Sequence, residues 1–419
     1  KPVTLEWFRP RRYKHFDRPV CESFAEKVKT PSFVVAHPFS PLIHYMKESR
    51  RYKQGEHKTV TKSRPIMYAS HRDACVLSYY AAQIQESLEA RYAALGLGNN
   101  VIAYRRLGKS NFDFAADVYR QALADAPCAI LAFDVSKFFD TLDHGLLKQR
   151  LKDVLNIATL SEDWYKVLKF VTKYHYVDLT ALQAIPEFAA ALGAKGTAPI
   201  ASIREVIGAG VEVHGNPDGV IGIPQGTPIS AVLSNLYMLD FDLAAKAYCD
   251  SIDAMYRRYS DDIVIVCPVE QTGEAEAEIV RLMAKEKLQL SVEKTEKTLF
   301  DPSGAAVAGR RSAQYLGFAM SPSGASIRPS SLSRQWRKMR RSLRRAKRAA
   351  VSRSAAGQGG KVYAKKLRRR FSPLQFRNFS SYARRSARAF GGEQAIYRQI
   401  RRLERAFDAE LRGISLPGP

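Results

Sequence analysis

Residues 254–267, AMYRRYSDDIVIVC, carry the pattern that decides the fold. Two runs rich in apolar and β-branched residues flank the short polar tip Tyr259-Ser260-Asp261-Asp262, which predicts a β-hairpin. Adjacent carboxylates at a hairpin tip repel each other and lose hydration, and a bound divalent cation removes that cost. Because Mg²⁺ prefers carboxylate oxygens, the tip is a candidate half of a two-metal phosphoryl-transfer site. For an isolated pair of aspartates a solvated turn is the commoner explanation, so the rest of the chain must decide.

A further acid stands at the end of a buried strand. Residues 128–134, CAILAFD, form an apolar run that closes on Asp134. An acid in this position needs a cation or several hydrogen-bond donors, and a helix N-cap is the alternative explanation. Five residues later, the ring of Phe139 could lie beneath the sugar of an incoming nucleotide, or it could simply pack in the core.

The positive charge of the chain is concentrated near its C-terminal end. The net charge is +25 over 419 residues, and residues 328–412 contain 26 Lys and Arg against 4 acids. A basic block on a nearly neutral body predicts a module that binds a polyanion, with a solvated helix face or a basic tail as the alternative. The 46% hydrophobic content is enough for a large core and two or three subdomains.

Cysteine usage and hydropathy exclude several other classes. The five cysteines are scattered without a CxxC pair, which argues against a zinc finger or a disulfide framework and favours the cytoplasm. No apolar run reaches membrane-spanning length, and no signal-peptide pattern is present.

Local periodicity predicts the remaining elements. Residues 1–57 lack clear periodicity and are predicted to form short helices and loops, whose aromatic and basic side chains either stack on bases or pack on the body. Helices are predicted over 73–95, 111–124 and 272–288, with strands over 58–72 and 288–300 and short strands within 203–215. Gly226, in the loop IPQGTP of residues 223–228, permits close backbone approach to a ligand, and Gln225 offers an amide there.

Taken in order, these motifs resemble those of reverse transcriptases, most closely the bacterial lineage of group II intron, retron and defence-associated enzymes. FDVSKFFD (133–140) is similar to the first palm motif, GIPQGTPISAVLSN (222–235) to the second, and YSDD to the metal-binding motif. SVEKTEK (291–297) is similar to the lysine-bearing motif, YLGF (315–318) to the primer-grip hairpin, and KSRPI (62–66) and AYRRLGKS (103–110) to the fingers motifs. Each motif is weak alone, but their order and spacing over residues 58–318 favour a polymerase.

The resemblance implies an α+β right-hand polymerase with fingers, a palm built on an antiparallel sheet, and a helical thumb. Its divisions would be an N-terminal extension (1–57), fingers (58–125), a palm (126–320) with an insertion at about 145–222, and a basic helical thumb (321–419).

The resemblance also implies roles for single residues in an RNA-directed DNA polymerase. Asp134, Asp261 and Asp262, with the carbonyl of Val135, would hold two Mg²⁺ ions, with Mn²⁺ as an alternative. Phe139 would exclude the 2′-hydroxyl of ribonucleotides. The full set of predicted nucleotide contacts is Lys62, Arg64, Phe139, Gln225 and Lys294. The predicted nucleic-acid contacts are Arg105, Arg106, Lys109, Arg337, Arg341, Arg344, Arg345, Arg348, Arg368 and Arg369.

Finer features of the resemblance narrow the biological role. No acid cluster suggests RNase H, no endonuclease motif is found, and residues 69–84, ASHRDACVLSYYAAQI, are most similar to stand-alone defence-associated enzymes. This implies an antiphage role, a partner non-coding RNA as template, dNTPs as substrates and a DNA product, with a homo-oligomer left open. The alternatives are a group II intron-type maturase and, from another class, a catalytically silent RNA-binding scaffold.

Overall fold

The computed structural model describes residues 5–53, 58–291, 293, 295–301, 303, 312–358, 360–373 and 377–413. The strands are β1 Leu42–Lys53, β2 Lys58–Tyr68, β3 Cys128–Asp134, β4 His175–Asp178, β5 His214–Gly215, β6 Met255–Tyr259, β7 Asp262–Pro268, β8 Glu296–Phe300, β9 Ala313–Tyr315, β10 Phe318–Ser321 and β11 Gly324–Ile327. The helices before the thumb are α1 Glu22–Val28, α2 Pro31–Ala36, α3 His71–Ala94, α4 Asn111–Ala124, α5 His144–Leu155, α6 Glu162–Thr172, α7 Leu179–Ala184, α8 Pro186–Gly193, α9 Ile203–Gly208, α10 Ser230–Tyr237, α11 Leu239–Ser251 and α12 Thr272–Lys285. Those of the thumb are α13 Pro329–Ala355, α14 Ala364–Phe371, α15 Phe379–Ala389 and α16 Gln394–Arg412.

The centre of the molecule is a four-stranded antiparallel sheet in the order β6-β7-β3-β8. Its two faces are buried against different layers because side chains alternate along each strand. Phe133 and Ile263 face a core formed with helices α3, α10, α11 and α12. Ile130 and Val264 face a second core that continues into the thumb. The mixed helix and sheet architecture with this antiparallel palm sheet confirms the predicted right-hand polymerase class.

The fingers contain a second sheet, in the order β2-β1-β4-β5. Strands β1 and β2 form a long antiparallel ribbon whose register runs from Ile43 opposite Tyr68 to Lys53 opposite Lys58. The expectation of only short helices and loops before residue 58 is therefore wrong, since β1 pairs along its length with β2. The strand expected at 203–210 is also wrong, because the capping box between Ser202 and Glu205 starts helix α9 there.

The thumb begins with the small sheet β9-β10-β11 and continues as four helices. The YLGF hairpin is confirmed, with Leu316 and Gly317 between β9 and β10. The sheet crosses the predicted palm boundary at residue 320, since β11 pairs with β10. Of the strand expected over 288–300, Glu296–Phe300 forms β8, whereas Leu290 forms only an isolated bridge with Val135.

Two exclusions from the sequence agree with the structure. All five cysteines carry free thiols, and four of them are buried. In the part of the chain that the structure describes, no helix combines the length and apolar character needed to cross a membrane.

Candidate active site

The palm sheet brings the predicted carboxylates together at one end. Asp134, the last residue of β3, lies directly opposite Asp262, the first residue of β7. Opposed residues of an antiparallel pair have Cα atoms about 4.5–5.5 Å apart and share a face of the sheet. Tyr259 of β6 lies opposite Asp262 in turn, so the three form a row across neighbouring strands. By alternation this row lies on the same face as Ile130 and Val264, away from the helices that cover the other face.

Asp261 occupies the tip of the tight turn between β6 and β7. The pairing of Tyr259 with Asp262 leaves a two-residue loop, Ser260-Asp261. The backbone N–H of Val135 donates to the Asp261 carbonyl at 3.1 Å, which joins the tip to the end of β3. Ser260 has a φ of 60°, a left-handed conformation that costs a residue with a Cβ about 1–2 kcal/mol. A positive φ at the first loop position is the type II′ hairpin geometry, in which glycine is usual.

A buried ion pair supports this strained turn. The Arg258 side chain is fully buried, and its Nε and Nη2 donate to the Asp242 carboxylate at 2.7 and 2.6 Å. Its remaining Nη1 donates to the Ser260 carbonyl at 3.0 Å and to the Asn235 side chain at 3.2 Å. Burial alone lowers the pKa of Arg258, but the Asp242 carboxylate outweighs it and raises that pKa above its ordinary value. The guanidinium therefore stays charged and fixes the backbone next to Asp261.

The fingers reach the same turn through Tyr104. Its hydroxyl lies 3.0 Å from the Ser260 hydroxyl, and its backbone also has a positive φ, of 62°. The amide of Asn235 donates to the neighbouring Ala103 carbonyl at 2.9 Å. Burial raises the pKa of Tyr104, and the nearby Asp261 carboxylate adds to the rise although the Ser260 hydrogen bond opposes it. Two strained residues thus hold each other beside the carboxylates, a pattern that concentrates at functional sites.

Sequence reasoning missed this supporting network, although one signal was available. Strand alternation places Arg258 on the same face as buried Tyr256, so an arginine stands where the pattern requires a core residue. An arginine in such a position needs a buried acid. Asp242, the acid that supplies this charge, also accepts from the Tyr256 hydroxyl at 2.6 Å.

The second palm motif lies against a fingers strand. The backbone of Gln225 accepts from Met67 of β2 at 2.8 Å. Gly226 has a φ of +113°, and a Cβ at this position would stand 2.6 Å from the Met67 carbonyl, so no side chain fits. The Gln225 amide lies 3.5 Å from Asp140, and the Phe139 carbonyl accepts from Ile223 at 2.8 Å. The loop therefore connects the fingers to the segment after β3.

Other predicted nucleotide contacts lie near this junction. Gln225 and Asp140 line a cleft of roughly 330 Å³ that Pro65, Met67, Tyr174 and Tyr176 also line. Lys62 and Arg64 lie two residues apart on one face of β2, and this strand leads towards the same junction. The half-buried ring of Phe139 packs against the palm core. Lys294 lies outside the described residues. The roles of these residues remain predictions.

The structure corrects one predicted nucleic-acid contact in the fingers. Arg105 donates to both carboxylate oxygens of Glu89 at 2.9 and 2.5 Å, and its side chain is only 4% exposed. The hydrogen bond from Arg105 lowers the pKa of Glu89. Because its guanidinium is enclosed by the protein, Arg105 stabilises the fold in place of contacting phosphates. Arg106 and Lys109 remain at the surface, in ion pairs with Glu6 and Asp117.

The predicted thumb contacts lie at the surface. Met339 and Leu343 mark the buried face of α13. The exposed arginines of this helix project mainly from the opposite face, and two more follow on α14. We call this set the thumb ridge: Arg337, Arg341, Arg344, Arg345, Arg348, Arg368 and Arg369.

The carboxylates at the sheet end have the chemistry of a divalent cation site. Their oxygens suit a hard ion, and an ion such as Mg²⁺ usually takes only one or two carboxylates and keeps water and substrate phosphate as further ligands. Among the described residues, no three His, Cys, Asp or Glu side chains come close enough together to hold a metal ion between them. The cross-strand pair Asp134 and Asp262, with Asp261 at the tip, fits such a partial site.

The primer-grip hairpin lies beside this row. Burial raises the pKa of Tyr315 far above its usual value, and the Asp262 carboxylate adds to the rise although Arg257 opposes it. Tyr315 of β9 is therefore an electrostatic neighbour of Asp262.

Comparison with known families identifies the central segment. Residues 205–320 match the family described as reverse transcriptase (RNA-dependent DNA polymerase). This segment of the chain is therefore similar to the reverse transcriptase domain. The matched segment includes the second palm motif, the YSDD hairpin and the YLGF hairpin, and it begins after Asp134. No curated protein matches the chain by sequence.

Solved structures similar to this chain include telomerases and viral polymerases. A telomerase from Candida albicans in complex with a fragment of telomeric RNA is 11% identical, with a TM-score of 0.45, over 94% of this chain and 67% of that one. A truncated apo telomerase from Candida tropicalis is 11% identical, with a TM-score of 0.44, over 69% and 56%. An RNA-dependent RNA polymerase of a human picobirnavirus is 12% identical, with a TM-score of 0.40, over 69% and 45%. The chain thus spans about half to two thirds of the length of these proteins.

Proposed function

We propose that the protein is an RNA-directed DNA polymerase that copies a structured RNA into DNA. The observation that carries the proposal is the pairing of Asp134 with Asp262, with Asp261 at the adjoining tip, on a palm sheet whose hairpin lies inside the matched reverse transcriptase segment. Three acids near one end of the palm sheet would suit transfer of a nucleotide to the end of a growing strand.

The residues of the chain divide the work between them. Mg²⁺ or Mn²⁺ held by Asp134, Asp261 and Asp262, with the Val135 carbonyl, would lower the pKa of the primer hydroxyl and offset the triphosphate charge. The other groups bind and orient. Lys62 and Arg64 contact phosphates, Gln225 lines the nucleotide and template site, and Phe139 excludes a 2′-hydroxyl.

We infer that the template is a partner non-coding RNA and that the protein acts in antiphage defence. Support comes from the similarity of residues 69–84 to stand-alone defence enzymes and from the basic thumb, which suits a polyanion. Sequencing the RNA that purifies with the protein tests this inference. A compact structured RNA is the expected result, and an intron-like ribozyme would favour a maturase in its place.

Incorporation of dNTPs on an RNA template tests the polymerase itself. Asp261→Ala combined with Asp262→Ala should reduce incorporation by at least about 10³-fold, the scale of losing a preorganised electrostatic group. The affinity for RNA should stay unchanged because the thumb is intact. Asp250→Ala is the matched control, since Asp250 is an exposed acid of α11 paired only with Lys246 among the described residues. Incorporation retained by the double variant would refute the proposal.

A further inference from the structure

A second basic feature of the thumb is a cleft between α13, α14 and α15, with a volume of roughly 510 Å³. This size lies within the range of about 300–1,000 Å³ that is typical of ligand sites. We call it the thumb cleft. Its walls are formed by Gln335, Lys338, Lys366, Arg369, Arg370, Arg377, Asn378, Phe379 and Tyr382.

The cations of the thumb cleft have no acidic partner among the residues that the structure describes. Among the described residues, no carboxylate forms an ion pair with Lys338, Lys366, Arg369, Arg370 or Arg377, and no acid lines the cleft. Elsewhere in the thumb, by contrast, Glu410 pairs with Arg340 and Glu404 with Arg384. Five like charges around one concavity repel each other, and a bound polyvalent anion relieves that repulsion.

One wall of the thumb cleft is aromatic. The rings of Phe379 and Tyr382 lie nearly parallel, with centroids 6.4 Å apart and an interplanar angle of 28°. Tyr382 also packs on Phe318 of β10 and on Phe112 of α4, so these two rings fix its position from behind. Rings held in this way offer a surface on which an unpaired base can stack, at about 1–3 kcal/mol per base.

Asn378 strengthens the positive potential of the cleft but gives little selectivity between bases. The Asn378 side chain already accepts from Ser381 and donates to the carbonyls of Arg369 and Ser372, since it caps α15. The N-terminus of α15 therefore points its partial positive charge towards the cleft. The combination of cations, a helix N-terminus and a stacking wall recognises phosphate with an adjacent base of any identity.

We propose that the thumb cleft binds the phosphorylated 5′ end of an RNA strand, with the terminal phosphates among the cations and the first base against Tyr382. Arg369 belongs to both the ridge and the cleft. The ridge arginines of α13 follow one helix face, which suits successive backbone phosphates that carry one charge each. The cleft concentrates five charges in one concavity, which suits the several charges of a terminal tri- or monophosphate. This inference deepens the proposed function by naming the form of RNA bound, and its test requires no DNA synthesis.

The test uses the full chain and three labelled RNAs of one sequence that carry a 5′-triphosphate, a 5′-monophosphate or a 5′-hydroxyl. Fluorescence anisotropy gives the three dissociation constants. We expect the 5′-triphosphate RNA to bind at least about tenfold more tightly than the 5′-hydroxyl RNA, with the monophosphate between them. Equal affinities for the three RNAs would overturn the inference, whether or not the protein synthesises DNA.

Two double variants test whether the preference for 5′-phosphorylated RNA depends on the thumb cleft. Lys338→Ala with Lys366→Ala removes charges from facing walls of the cleft and should bring the affinity ratio close to one. Arg341→Ala with Arg348→Ala removes the same charge from the ridge and should weaken all three RNAs equally, leaving the ratio unchanged. All four side chains are exposed, so both variants should keep the thermal unfolding midpoint of the parent. A ratio that falls equally in both variants would show that the preference reflects overall charge and would contradict the assignment to the cleft.

Discussion

The palm and the thumb use the same residue, arginine, in opposite ways. In the palm, Arg258 is fully buried, and hydrogen bonds to Asp242, Asn235 and the Ser260 backbone satisfy it. In the thumb, most cations are exposed, and the described acids pair with only a few of them. The comparison indicates that an arginine paired with a buried acid stabilises the fold, whereas an arginine without an acid partner among the described residues can bind a ligand.

The energetics of the two regions differ accordingly. The palm offsets the cost of a strained turn with a buried charge network, so its geometry is fixed before any substrate arrives. The thumb keeps an excess of positive charge, whose mutual repulsion is relieved when a polyanion binds. The fixed geometry of the turn suits the proposed chemistry at the carboxylates. The positive charge of the thumb, which the described acids do not neutralise, suits the proposed binding of RNA.

Breaking the buried pair should have the largest effect on stability. Arg258→Met leaves Asp242 charged and buried without its partner, which costs about 3–5 kcal/mol of unfolding free energy. Arg257→Met is the matched control on the same strand. Arg257 lies on the other face beside Asp117, which keeps Lys109 and Arg120 as partners, so its loss leaves no acid unpaired and should cost less than the loss of Arg258. Chemical denaturation measures both, and equal costs would contradict the special role of the Arg258–Asp242 pair.

Removing the predicted sugar gate should have the next largest effect, on selectivity within the palm. Phe139→Ala should lower the discrimination between dNTPs and rNTPs by about 10–200-fold, the range for one apolar contact in a pocket. The ratio of the two kcat/KM values measures it. Phe138→Leu is the control, because Phe138 is buried in the core and should change stability and leave selectivity unaltered. Unchanged discrimination in Phe139→Ala would remove the gate assignment.

Two neighbouring thumb arginines test whether pairing with an acid prevents an arginine from contributing to RNA binding. Arg341 belongs to the ridge, whereas Arg340, one residue before it on α13, pairs with Glu410 at 3.1 Å. Arg341→Ala should reduce the slope of log affinity for RNA against log salt by about 0.7–0.9, the value of one phosphate contact. Arg340→Ala should change that slope much less. A parent slope close to zero would show that the thumb does not bind RNA through its charge.

The smallest expected effect concerns the arginine that the structure reassigns to the fold. The hydrogen bond from Arg105 lowers the pKa of Glu89 in the folded state. Its contribution to stability is therefore present above the ordinary Glu pKa of about 4.3 and is lost as pH falls through the lowered value. Since Glu89 is partly exposed, the contribution should be only about 0.2–1 kcal/mol.

Denaturation of Glu89→Gln and the parent at neutral and acid pH tests this prediction. The parent should be the more stable at neutral pH, and the difference should shrink below about pH 4. A difference that stays constant with pH would mean that the charge of Glu89 contributes nothing.

The sequence predicted the centre of the palm well because the signals there are local. An apolar run predicts β3, and two runs rich in apolar and β-branched residues predict the hairpin; the structure pairs them with Asp134 opposite Asp262. Helix α4 was predicted with the bounds Asn111–Ala124, which the structure has. In each case the period of the hydrophobic pattern and the flanking turn residues determine the element without distant partners.

The remaining features depend on contacts between distant residues. Strand β1, LIHYMKESRRYK, carries polar residues on both faces over much of its length, so it lacks an amphipathic pattern and owes its form to pairing with β2. The support of the Ser260-Asp261 turn joins Arg258 to Asp242 and Asn235, and Arg105 owes its burial to Glu89 on α3. From charge alone, Arg105 and the thumb arginines are all predicted to contact nucleic acid, because only the fold shows which of them lies near an acid.

The division of work between palm and thumb can be tested in one paired measurement, with RNA affinity and dNTP incorporation determined on the same preparations. Asp261→Ala with Asp262→Ala should keep the affinity of the parent and lose incorporation at every RNA concentration. Arg341→Ala with Arg348→Ala should bind RNA more weakly and recover the incorporation rate of the parent at saturating RNA. A palm variant that still incorporates dNTPs at saturating RNA would contradict the assignment of chemistry to the paired carboxylates.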